Sequence, residues 1–183
     1  MISSMTETHG LTEKERAAAI AELETSRQRL NRALEGLTEE QAQRRPATDR
    51  WSIAECAEHI TAAEVFMPKL VTAATAGESV EGTEERDDFI RRSIRDRSQA
   101  QQAPERSRPR RRWASLAETL RTFNERRAAN LEFVRRTQEN LRGRFYPHPF
   151  VGMIDCYQWL LSMAAHTERH AAQIEEIRGE LRT

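Results

Sequence analysis

His59, His166 and His170 are the residues of this chain whose type and spacing are best suited to chemistry. Cys156, Trp159, Met163, His166, His170, Ile174 and Ile177 follow one another in steps of three or four. That is one stripe of a helix, and it should face a core. His166 and His170 are then inward positions one turn apart, from which two imidazoles can converge on a single ion. Upstream, Cys56, His59, Ala63, Phe66 and Leu70 step in the same way, so His59 is inward too. If the two helices pack together, three imidazoles meet in the interior, where helical bundles build metal sites. His9 reads as a tail residue, and His148, between Pro147 and Pro149, as a loop residue.

Three neutral imidazoles would leave a divalent ion its full charge and at least one open position. Such an ion lowers the pKa of bound water towards 7, or binds a cofactor thiol as thiolate. The three residues do not choose between these. The competing reading is that each histidine is simply a satisfied core residue, but adjacent buried imidazoles all need partners. The zinc-protease helix is excluded, because Thr167 rather than Glu follows His166. The di-iron pattern of Glu-x-x-His is excluded too, since Cys56, Met163 and Thr167 stand three before the histidines.

No general acid or base stands out. Glu58 and Glu168 neighbour the histidines in sequence, which turns them about 100° away on a helix, so they read as surface or supporting groups. Gln173 is placed either to hydrogen-bond near the site or to pack. Asp155 is too far along its helix to be a ligand. Cys56 is a candidate fourth ligand or redox-sensitive thiol, or a buried filler. Trp159 and Met163 could floor a pocket or belong to the core.

The elements that must position these residues read as helices. Ile20, Leu23, Leu30, Leu34 and Leu37 give an amphipathic helix from about Leu11 to Gly36. A short piece, Thr38 to Gln43, precedes a break at Pro46. Ser52 and Glu55 form a capping box that starts a second helix, running at least to Met67 with Pro68 ending or kinking it. Residues 78–112 are charged and poor in apolar side chains, with a short helix at Phe89, Ile90 and Ile94, and read as a long, partly mobile connection. Ser115 and Glu118 start a third helix that carries Leu116 to Leu141 and stops near Gly143. The segment 145–149 reads as a turn, and the last helix runs from about Gly152 to Arg182. No strand pattern stands out. The expected fold is all-α, a four-helix bundle with a long crossover between helices 2 and 3. Residues 1–10 form a flexible tail and 11–183 one domain.

Composition sets the outer limits. A chain of 183 residues suffices for one core. With 29 basic and 29 acidic residues the formal charge is zero, so no bulk charge argues for nucleic acid or an anionic membrane. The run Arg106 to Arg112 reads as a solvated loop; a nucleic-acid role for it would require strongly salt-dependent binding. No apolar run approaches a membrane span, and the N-terminus lacks the features of a signal peptide. Two cysteines do not make a disulfide framework, so a cytoplasmic location is expected.

Several segments together resemble the DinB-like superfamily of metal-binding four-helix bundles. They are 34–41 (LEGLTEEQ), Arg45-Pro46, 51–60 (WSIAECAEHI), 148–152 (HPFVG) and 166–174 (HTERHAAQI). The stretch 78–112 has no recognisable counterpart. The resemblance implies a divalent ion, often nickel or zinc, held by His59, His166 and His170 with water completing the site. It also implies a small-molecule substrate, since relatives include low-molecular-weight thiol S-transferases, thiol-dependent isomerases and metal-dependent hydrolases. A non-catalytic metal- or ligand-binding module serving stress response is the alternative. Homodimers are common for such bundles, although no apolar stripe is clearly left over for one.

Overall fold

Thr12, Thr38, Ser52 and Asp155 each open a helix in the same way. The side-chain oxygen accepts from the backbone N–H three residues on, and the Glu or Gln there bonds back to the cap's own N–H. In the computed structural model, which describes residues 10–78, 83–98 and 101–181, these caps start α1 (Glu13–Leu34), α2 (Glu39–Gln43), α3 (Ile53–Ala63) and α7 (Cys156–Glu180). The remaining helices are α4 (Met67–Ala73), α5 (Thr83–Arg95) and α6 (Leu116–Arg136). Ser115 caps α6, but Glu118 turns back to the Ala114 N–H rather than closing the box on Ser115. The tail expected over 1–10 lies, except for Gly10, outside the described residues, as do 79–82 and 99–100 of the expected connection.

α1, α3, α6 and α7 make the four-helix bundle. α7 packs on α1 and α3, and α6 packs on the same two, so within the bundle each helix has two bundle neighbours. α5 belongs to the crossover and lies along α7. The interior holds two apolar clusters. Leu23, Leu131 and Leu160 are in one, with Leu30, Phe123 and Ile174 in the other. No described helix is long and apolar enough to cross a membrane.

The second helix is shorter than the reading to Met67. α3 ends at Ala63 because Glu64 turns inward to Arg127, with Nε–Oε1 at 2.7 Å and Nη2–Oε2 at 2.9 Å. Asn130 holds the break: it accepts from the Met67 N–H and donates to the Val65 carbonyl. Pro68 then sits in the first turn of α4, where a missing N–H costs nothing. The third helix also stops early, at Arg136, and Leu141–Gly143 is a separate 3-10 turn capped by Asn140.

The largest correction is a small antiparallel sheet, β1 (Thr75–Ala76), β2 (Arg144–His148) and β3 (Gly152–Asp155), in the order β1-β2-β3. The segment read as a turn is therefore mostly strand, and α7 begins at Cys156 rather than Gly152. β1 pairs only with Phe145 and Arg144, so Pro147 lies beyond its end and owes no hydrogen bond on that side. Gly152, at φ +76°, takes the left-handed conformation that brings the chain out of the hairpin turn.

Candidate metal centre

His59 on α3 and His166 and His170 on α7 meet inside the bundle. One ligating atom from each lies within 4.8 Å of the others. The Nε2 atoms of His59 and His166 are 3.1 Å apart, and the three ring centroids are 4.6 to 5.0 Å from one another. His59 and His170 are buried. Trp51 covers them from the start of α3, its ring 5.0 Å from His59 and 6.5 Å from His170.

The outer nitrogens of two of the rings are committed. His59 Nδ1 donates to the Ser107 carbonyl at 2.9 Å, and His170 Nδ1 to Gln173 Oε1 at 2.8 Å. A neutral ring that donates from Nδ1 has its lone pair on Nε2. Burial holds all the rings neutral. It pushes His170 down to about 3, with neighbouring His59 adding to the effect. His166 and His59 are lowered too, chiefly by burial. The site is thus a set of convergent acceptors, with at most one Nε2 proton, on His166, to share between them. A divalent cation suits such a donor set, whose ring orientations are fixed by the hydrogen bonds behind them.

The loop that supplies Ser107 is held by Glu58. Its carboxylate accepts from the backbone N–H of Arg110 at 2.7 Å, Arg111 at 2.9 Å and Arg112 at 3.2 Å, and from the Arg112 guanidinium at 2.8 Å. Arg111, at φ 58°, adopts the left-handed turn that lets consecutive N–H groups face one anion. Burial pushes this carboxyl up, but those bonds outweigh it and keep it below the usual range. The arginine run read as a solvated loop is therefore anchored, and Glu58 is a buried supporting group rather than a surface one. Glu168 pairs with Arg29 at 2.6 Å.

A pocket of about 730 Å3 opens over the triad. Trp159 and Met163 line it, as anticipated, and so do Val65, Phe150, Arg106 and Arg169. His148 and Ser162 also line it, and neither was expected there. His148 sits on β2, which Trp159 pins to α7 by donating from Nε1 to the Tyr146 carbonyl at 3.1 Å. Cys56 is not among the triad's neighbours. It is fully buried in the second apolar cluster, and burial pushes its thiol up to about 12. Asp155 caps α7 and pairs with Arg142, away from the histidines.

Arg127, Glu64 and Asn130 escaped the sequence reading, although a signal existed. Arg127 stands four residues after Phe123 and four before Leu131, on the buried stripe of α6. A charged residue on such a stripe implies a buried partner.

Residues 22–174 match the DinB superfamily. The uncharacterized protein YuaE of Bacillus subtilis (strain 168) is 24% identical over 148 residues, 81% of this chain and 90% of YuaE. Among solved structures, YfiT from Bacillus subtilis superposes with a TM-score of 0.59 at 16% identity, covering 93% of this chain and 89% of YfiT. YfiT is described as a probable metal-dependent hydrolase with an unusual four-helix bundle topology. Its likeness bears on the fold, and the sequence match over most of the chain bears on ancestry: this protein belongs to the DinB superfamily.

Proposed function

We propose that this protein is a metal-dependent enzyme acting on a small molecule, with a divalent ion, nickel or zinc, held by His59, His166 and His170. The observation that carries this reading is the fixed tautomer of two of the rings. Ser107 and Gln173 take the Nδ1 protons, which leaves lone pairs on Nε2 facing inward. His59 Nε2 is 3.1 Å from His166 Nε2. A bound ion would supply Lewis acidity to an oxygen or a sulfur ligand, which suits either hydrolysis or transfer of a low-molecular-weight thiol. The chain's own residues do the rest. Trp51 shields the rings from one side, and Glu58 holds the loop that orients His59. The apolar faces of Val65, Met163 and Trp159 would exclude water from a bound molecule. A cytoplasmic setting is consistent with two unpaired cysteines.

Metal analysis of tag-free protein tests the reading. We expect about one ion per chain, lost in His59→Ala, His166→Ala and His170→Ala. Full occupancy in His59→Ala would overturn it.

One observation favours a second reading, a non-catalytic metal- or ligand-binding module. Glu58 and Glu64, the buried carboxylates nearest the triad in the chain, are both consumed by other partners. On that reading metal removal lowers the melting temperature, while no thiol or ester turns over in a substrate screen.

A further inference from the structure

Hydroxyls inside helices commonly bond back to their own backbone, and Ser26 does so to the carbonyl three residues back. Thr61, Thr72, Thr119, Thr122 and Thr167 each donate to the carbonyl four residues back. Ser162 does not. Its one hydrogen bond is with His148 Nε2, at 2.9 Å. The direction of that bond is set on the far side of the ring. The Phe150 N–H donates to His148 Nδ1 at 3.2 Å, so Nδ1 carries the lone pair and Nε2 the proton. His148 therefore donates and Ser162 Oγ accepts, the reverse of a base that activates a nucleophile. Burial, with Arg106 nearby, lowers His148 to about 4 and keeps that neutral form in place.

The hydroxyl's own hydrogen has no acceptor among the described residues. Ser162 is only 2% exposed, yet it lines the pocket. It stands four residues before His166 on α7, about 6 Å along the axis. A buried donor without an acceptor costs free energy unless a ligand satisfies it.

We propose that Ser162, oriented by His148, donates its hydroxyl hydrogen to an oxygen of the bound molecule, one helical turn from the ion held by the three histidines. The site then selects molecules that carry an anionic or carbonyl oxygen beside the metal-binding atom: carboxylates, acyl groups or phosphates. The inference rests on the metal assignment above. His148 is a positioning residue that acts through Ser162.

Cobalt(II)-loaded protein provides the test, because its visible bands report each ligand that reaches the ion. Wild type, Ser162→Ala, His148→Phe and His148→Gln are titrated with phosphate and acetate, which offer acceptor oxygens, and with ethanethiol, which offers none. Ser162→Ala is expected to weaken phosphate and acetate about tenfold or more, with ethanethiol unchanged. His148→Phe should follow Ser162→Ala, and His148→Gln, which restores an N–H donor, should recover part of the loss. Equal phosphate affinity in Ser162→Ala and wild type, or equal losses for all three ligands, would overturn the inference and leave the metal site standing. A protein that takes up no cobalt would overturn the metal assignment, and this inference with it.

Discussion

Two polar clusters occupy the interior of this bundle, and they are built in opposite ways. Around Arg127 every hydrogen-bonding group is used. Nε and Nη2 pair with Glu64, Nη1 donates to the Leu23 carbonyl and Ser26, and Nη2 also donates to Thr167. All five guanidinium N–H groups are thereby spent. Around His59 the outward nitrogens of His59 and His170 are used, while the inward Nε2 atoms of His59 and His166 have only each other, 3.1 Å apart. The two clusters include adjacent residues of α7, Thr167 and His166. The first completes itself from four elements of the fold and needs nothing further. The second is the one that, on the proposed reading, a cation would complete. Polar burial alone does not mark a site; polar burial with convergent, unspent acceptors does.

The comparison breaks most visibly at Arg127. Arg127→Met leaves Glu64 as an unpaired buried charge and is expected to cost about 3–5 kcal/mol in urea denaturation. Glu64→Leu combined with Arg127→Met should recover most of that loss, since a satisfied ion pair is often replaceable by apolar packing. A double variant no more stable than Arg127→Met would show that the pair does more than fill the core.

Metal addition should act on the other cluster alone. At a hundredfold excess over Kd, nickel or zinc should stabilise the wild type by about 2.7 kcal/mol, read as a rise in melting temperature. His59→Ala should show no such rise. A rise of equal size in both would place the ion elsewhere.

A smaller effect is expected from Glu58→Gln. It weakens the anchor of the loop that carries Ser107, so His59 loses orientation, and metal affinity should fall about tenfold in a competition titration. Unchanged affinity would separate the loop from the site.

The smallest effect is on pH dependence. In the folded protein His148 titrates at about 4 and His170 at about 3, against 6.5 for an ordinary histidine, because burial disfavours their charged forms. Between those values the unfolded chain holds protons that the folded chain does not. Stability of the metal-free protein is therefore fully present above about pH 6.5 and lost as pH falls towards 4. His148→Gln should reduce the slope of melting temperature against pH in that window. An unaltered slope would mean that His148 is already charged in the fold.

The three histidines were more legible in the sequence than their surroundings. His59, His166 and His170 were legible because helical spacing ties each to an apolar stripe, and the Ser52–Glu55 capping box fixes where the second helix begins. The bundle followed from four such stripes. What could not be read depends on contacts distant in the chain. The α3–α4 break comes from Glu64 meeting Arg127. The fold of 110–112 comes from Glu58, and the sheet joins 75–76 to 144–145 across the whole third helix. His148 looked like a loop residue because two prolines flank it, yet it lies where β1 has already ended and proline disturbs no pairing.

The central claim is that three imidazoles from two helices share one ion. X-ray absorption spectroscopy of the zinc- or nickel-loaded protein, prepared without added thiol, tests it most directly. The account predicts about three imidazole nitrogens at roughly 2.0–2.1 Å and no protein sulfur. A sulfur shell near 2.3 Å, as a cysteine ligand would give, or fewer than three imidazoles, would contradict it.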